Sequence, residues 1–308
     1  MCVEFSLGAD AATSGENVRL KMKKSEYRLS VGNHVLGLDF QPARYADVFR
    51  DYFNCDCSHQ TPDIHLRIKV IRRRTIAEIG NSLFTSKELT TKGFAMSGGL
   101  IRGRYDRRSR SGSIRSSQIL TVSPTIRVFE QLLYQAFYSA VNTESNDEFL
   151  IHSCGVLHRG CGYLFVGRPG SGKSTIARLS LPDTVLNDEV CLVEFMDRGV
   201  ELQSTPFNGL FTEKSAGRCH LEAVLLLQQG TEHRLTRTEE ADAVRALIQE
   251  IVPPIGLDEQ ITQSVHGAML DMADRLQRSV PVYRLEFQRN NDFWELIDRE
   301  IAKTGGAS

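Results

Sequence analysis

Four apolar residues, Tyr163-Leu164-Phe165-Val166, run straight into Gly167-Arg168-Pro169-Gly170-Ser171-Gly172-Lys173-Ser174-Thr175. A G-x-x-x-x-G-K-[ST] loop between a strand and a helix restricts the fold more than any other stretch of this chain. Its glycines let successive backbone N–H groups turn toward one point, with a lysine and a hydroxyl beside it. Both flanks suit the loop, since 163–166 reads as a buried strand and Ile176-Ala177-Arg178-Leu179 continues as a helix. On this reading Gly167, Gly170, Ser171, Gly172, Lys173, Ser174 and Thr175 form a phosphate cradle. Lys173 counters the charge of a polyphosphate and Ser174 offers its hydroxyl to Mg2+.

The 308 residues suffice for one large domain or two modest ones, and a 41% hydrophobic composition supplies their cores. A net charge of −1 gives no global attraction to nucleic acid or to an anionic membrane. No apolar run has the length of a membrane span, and Met1-Cys2-Val3-Glu4-Phe5 lacks the layout of a signal peptide. Seven cysteines without a regular framework fit reduced thiols. The expectation is a cytoplasmic protein with no nucleic-acid or membrane partner.

Strand-like pieces at 27–31, 35–40 and 64–70 surround a helix expected over 44–52, and a glycine-rich stretch over 94–117 suggests hairpins that end at 119–122. This is the pattern of a smaller N-terminal α+β domain, taken as 1–122. Ser123-Pro124 then opens a helix whose Ile126, Phe129, Leu133, Phe137 and Ala140 recur at helical spacing, which predicts one buried face. The polar run 142–148 is a linker before the strand 149–151. Beyond the loop, apolar pieces at 184–186, 190–195 and 223–227 predict strands alternating with helices. Helices over 238–251 and 258–278, a strand over 282–287 and a helix over 291–302 complete an α/β domain taken as 123–308.

A phosphate loop needs a carboxylate or base near it in space. Asp188-Glu189 ends the strand 184–186, fifteen residues after Lys173, a spacing that returns the chain to the phosphate side. A carboxylate there holds Mg2+ or takes the proton of an attacking hydroxyl, against the plainer alternative of an Asn-Asp-Glu turn closing a hairpin. His152, at the end of 149–151, stands between a structural and a catalytic role.

Together, His152-Ser153-Cys154-Gly155-Val156, Gly162-Tyr163-Leu164-Phe165-Val166-Gly167, Gly170-Ser171-Gly172-Lys173-Ser174-Thr175, Leu186-Asn187-Asp188-Glu189-Val190 and Ser204-Thr205-Pro206-Phe207-Asn208-Gly209 resemble the HPr kinase/phosphorylase-like family. The resemblance covers roughly 149–229, with weaker agreement at 282–301. It implies a P-loop kinase core related to HPr kinase and to the ATP-dependent phosphoenolpyruvate carboxykinases, with ATP and Mg2+ as cofactors. It further implies phosphorylation of a hydroxyl, serine above all, on a peptide or small protein, and a homo-oligomer. Lys173 and the loop amides would hold the β-phosphate region, Ser174 would contact Mg2+ and Asp188 would face the substrate hydroxyl. Glu189 would serve the metal or orientation, and His152 would lie close to the transferred group. The glutamate-bearing motif that HPr kinases proper carry after the acidic pair is not found. The chain is therefore more similar to the divergent serine kinases found beside peptide-modification genes, including those for lasso peptides.

Two other readings stay open: a nucleotide-binding regulatory or scaffold protein without phosphotransfer, and a small-molecule kinase acting on free serine. Arg102, Arg104, Arg107, Arg108, Arg110 and Arg115 crowd one Gly/Ser-rich stretch, either a solvated hairpin or a grip for an acidic partner. Cys55-Asp56-Cys57-Ser58-His59 has metal-ligand residue types but no second pair at zinc spacing, so an exposed turn is expected there.

Overall fold

The computed structural model describes residues 25–53, 60–71, 86–90, 93–97, 100–121, 126–140, 147–211, 213–253 and 259–305. The Cys55–His59 cluster, the Ser123-Pro124 cap and most of the 142–148 linker lie outside them.

Period-two patterning builds the first sheet. In β3 (Ile64–Ile71) Ile64, Leu66, Ile68 and Val70 point inward while His65, Arg67 and Lys69 face water. With β1 (Glu26–Val31), β2 (His34–Gln41), β4 (Ser86–Thr90), β5 (Gly93–Ser97), β6 (Ile101–Asp106) and β7 (Ser111–Ser117), it forms a sheet of order β1-β2-β3-β7-β6-β5-β4. The helix α1 (Arg44–Phe53) covers it through Phe49, whose ring lies 4.7 Å from that of Phe40. The arginines of the basic stretch sit on the β6-β7 hairpin, where Arg102 lies opposite Arg115 and all but the half-buried Arg107 are exposed. Residues 118–121 form a 3-10 turn where the hairpin region was expected to end, and no strand runs through them.

The helix α2 (Ile126–Ala140) departs from the one-sided stripe. Ile126, Phe129, Leu133 and Phe137 are buried as the spacing predicts, but so are Glu130, Leu132, Tyr134, Gln135, Ala136 and Tyr138. The reason is its place between the two sheets. Phe129 meets Phe49 of α1 at 4.7 Å, Tyr134 meets Phe207 at 4.5 Å, and the Tyr138 hydroxyl accepts the Leu150 N–H at 2.8 Å. A helix with partners on both sides needs no polar face.

The second sheet holds β8 (Glu148–His158), β9 (Cys161–Val166), β10 (Thr184–Asn187), β11 (Val190–Met196), β12 (Gly199–Gln203), β13 (Arg218–Gln229), β14 (Arg234–Arg237) and β15 (Val282–Phe287). Helices α3 (Lys173–Leu179), α4 (Glu240–Glu250), α5 (Glu259–Ser279) and α6 (Phe293–Gly305) accompany them. Strands and helices mix as an α/β reading requires, yet β10 to β13 follow one another with no helix between them. The expected alternation fails there because β10, β11 and β12 pair antiparallel with their neighbours and need only short connections. Only β9, β13 and β15 run parallel, side by side in the middle of the sheet. No helix among the described residues is long and apolar enough to cross a membrane.

Glu130 is the unusual member of the interface between α2 and the second sheet. It is 3% exposed, and burial pushes its carboxyl up from 4.5 to about 7, although hydrogen bonds from the Asn208 N–H and Tyr52 and the charge of Lys214 pull the other way. The folded chain keeps this proton until about pH 7, whereas an unfolded chain releases it near 4.5. The group's contribution to stability is therefore complete below the unfolded value and is lost as pH rises through the folded one. Thermal melts from about pH 5 to about pH 8 should show the wild type losing stability with rising pH and Glu130→Gln losing much less of it.

Candidate functional site

The carboxyl ends of parallel strands are where open α/β sheets bind ligands, and here β9, β13 and β15 end together. The 167–172 loop leaves β9, Gln229 ends β13, and Arg289 follows β15 by two residues. The Gln229 amide donates to the Gly170 carbonyl at 2.7 Å, tying β13 to the loop. Gly172 turns the chain into α3 at φ 113°, and a Cβ there would stand 2.6 Å from the Phe287 ring, so only glycine fits. The Lys173 ammonium folds back to donate to the Gly167 carbonyl.

Asp188 and Glu189 occupy a break in a long ladder. Both β10 and β11 run antiparallel to β8, with Asn187 opposite Gly155 and Val190 opposite His152, so the acidic pair interrupts one ladder and does not close a hairpin. The ladder's register slips by one residue just before the pair, between Val185 and Asn187, and such irregularities re-aim side chains. Asn187, fully buried, stabilises this one by donating to the carbonyls of Thr205 and Phe207, both at 2.9 Å, while its Oδ1 accepts the N–H groups of Glu189 and Val190. Asp188, 2% exposed, points to the loop: its Oδ2 accepts the Ser174 hydroxyl at 2.8 Å and the N–H groups of Phe211 and Leu210 at 3.1 and 3.2 Å. Its Oδ1 is buried and accepts no hydrogen bond.

One cavity of about 530 Å³ is lined by His152, Gly170, Gly172, Lys173, Ser174, Thr175, Asp188 and Glu189. Gly167 and Ser171 line instead an adjoining cleft of about 600 Å³. Sequence reading missed Arg178, Leu210, Gln229, Glu250 and Arg289, which also line the cavity. Gln229 and Arg289 were within reach of the rule about parallel strand ends. Glu250 was not, because no spacing marks it: it ends α4, where Ile251 bridges Ile151 and brings it beside His152. Burial raises the Glu250 carboxyl above the usual carboxylate range, and Lys173, His152 and Arg168 partly offset this. The Thr205-Pro206-Phe207 turn shapes the site from behind, with Phe207 fully buried and the Thr205 hydroxyl donating to the Val190 carbonyl.

Lys173, Arg178 and Arg289 meet Asp188, Glu189 and Glu250, three cations against three carboxylates, so the cavity offers an anion no surplus positive charge. The donors fit Mg2+. The Ser174 hydroxyl and the Asp188 Oδ2 that accepts it are hard oxygens, and Mg2+ takes one or two carboxylates and completes its shell with phosphate and water. Among the described residues no three His, Cys, Asp or Glu side chains come together to cage a metal alone.

No family model matches the chain, and no curated protein matches it. Among solved structures, the HPr(Ser) kinase/phosphatase from Coxiella burnetii is similar over 51% of this chain and 95% of that one, with 10% identity and a TM-score of 0.27. So slight a likeness carries no argument about what this chain does.

A Cβ at Gly209 would overlap Asp188 Oδ1, and the aspartate, pinned by three donors, cannot swing away. Gly209→Ala should lower the unfolding free energy in urea by about 1–3 kcal/mol, the usual penalty of overpacking.

Proposed function

We propose that this protein is an ATP- and Mg2+-dependent kinase that transfers the γ-phosphoryl group to a hydroxyl. Serine on a peptide or small protein is the acceptor that the sequence resemblance implies. The observation that carries the reading is the hydrogen bond from Ser174 to Asp188 inside a cavity that also holds Lys173 and His152. Phosphoryl transfer asks a protein for positioning and charge neutralisation more than for covalent chemistry, and these groups supply both.

In this reading Lys173 leaves the Gly167 carbonyl to meet the β- and γ-phosphates, and Ser174 and Asp188 hold Mg2+ with Glu189 beside them. Bound Mg2+ supplies neutralisation of the phosphate charge. Arg289 and Arg178 balance the carboxylates at the outer side of the cavity, and His152 lies against the transferred group. The buried Asp188 keeps its place through the N–H groups of residues 210 and 211, so the binding oxygens are set before the nucleotide arrives.

Incubation with γ-labelled ATP, Mg2+, free serine, HPr and any peptide encoded beside the gene, followed by mass spectrometry, tests the reading. Label on a serine hydroxyl supports it. Tight ATP binding without transfer to any of them favours a nucleotide-binding scaffold. Asp188→Asn should abolish turnover, a loss of at least about 100-fold, while ATP binding measured by calorimetry stays nearly intact. Lys173→Ala should weaken ATP binding itself.

A further inference from the structure

Two carboxylates in the cavity are built differently. Asp188 is committed: one oxygen accepts three hydrogen bonds, and Gly209 packs so closely on the other that a methyl group would not fit between them. It suits a cation held in place and not a hydroxyl arriving from solvent. Glu250 is 7% exposed and makes no hydrogen bond or ion pair with any described residue. It lines both the cavity of Lys173 and Ser174 and the adjoining cleft of Gly167, Arg168, Arg245 and Arg284. No other carboxylate lies at the junction of these two spaces.

We infer that Glu250 is the general base for the acceptor hydroxyl, which reaches it through the adjoining cleft while Asp188 serves the cation. The inference rests on the kinase reading above and assigns a catalytic residue that the sequence pattern did not. In the step, the hydroxyl proton passes to the Glu250 carboxylate as the acceptor oxygen's electron pair forms the new bond to the γ-phosphorus. The bond from that phosphorus to the β–γ bridging oxygen breaks, and its electron pair leaves on the nucleoside diphosphate. The charges facing Glu250 favour its working form: Lys173 and Arg168 from the loop side and His152 from β8. Desolvation acts the other way and keeps the carboxylate basic enough to take a proton.

The test uses the full chain with γ-labelled MgATP and with water, free serine, HPr and any peptide encoded beside the gene as acceptors, comparing wild type, Glu250→Gln, Glu250→Asp and Asp188→Asn. Glu250→Gln should lower kcat by about 100-fold or more and leave the MgADP dissociation constant within about threefold. It should also remove the rise of rate with pH on the acid side, which a structural role for Glu250 would not do. Glu250→Asp should keep that rise at a lower rate, and thermal melts show which variants are folded. A folded Glu250→Gln with near-wild-type kcat and an intact acid limb overturns the assignment of the base and leaves the kinase reading standing. A wild type that transfers nothing to any of these acceptors overturns both.

Discussion

The cleft depends on two adjacent polar side chains buried where β10 gives way to β11 along β8. Asn187 satisfies the backbone of the 205–207 turn on one side and the N–H groups of residues 189 and 190 on the other. Asp188 is thereby turned toward Ser174, and through it the helix that follows the 167–172 loop is joined to residues 210 and 211. Unpaired polar groups this deep would cost several kcal/mol, so the hydrogen bonds leave the loop, the acidic pair and the turn with one mutual arrangement. The neighbouring core repeats the point on the apolar side, where Phe207 packs on Tyr134 of α2 and so links the cleft to the first sheet.

The position of the cleft follows from strand direction. Most neighbours in the second sheet are antiparallel, but β9, β13 and β15 pair in parallel and carry their carboxyl ends to one edge, and β10, antiparallel to β8 as β9 is, ends there too. The loop, Gln229 and Arg289 meet there for that reason, although they are far apart in sequence. The balance of three cations and three carboxylates means that the cavity offers no surplus positive charge, which in the proposed reading is why a polyphosphate would bring a metal ion with it.

Much of this was legible in the chain. The loop pattern lies between a strand and a helix as its letters require, and His152, Lys173, Ser174, Asp188 and Glu189 line one cavity. What periodicity could not carry was pairing. It marks 184–186 and 190–195 as strands without saying that both lie along β8, and it marks one face of α2 without saying that both sides of the helix are covered. Glu250 escaped for the same reason: its place in the cavity comes from a single bridge between Ile151 and Ile251, a contact that leaves no trace in local pattern.

The central claim is that Ser174 and Asp188 hold the cation of a nucleotide whose phosphates lie in the 167–175 loop. A crystal structure with Mn2+ and a non-hydrolysable ATP analogue, located by the anomalous signal of the metal, tests it most directly. The account predicts Mn2+ bound by the Ser174 hydroxyl and by the Asp188 carboxylate oxygen that faces it, with the phosphates beside Lys173. A nucleotide bound elsewhere, or a metal touching neither Ser174 nor Asp188, would contradict it.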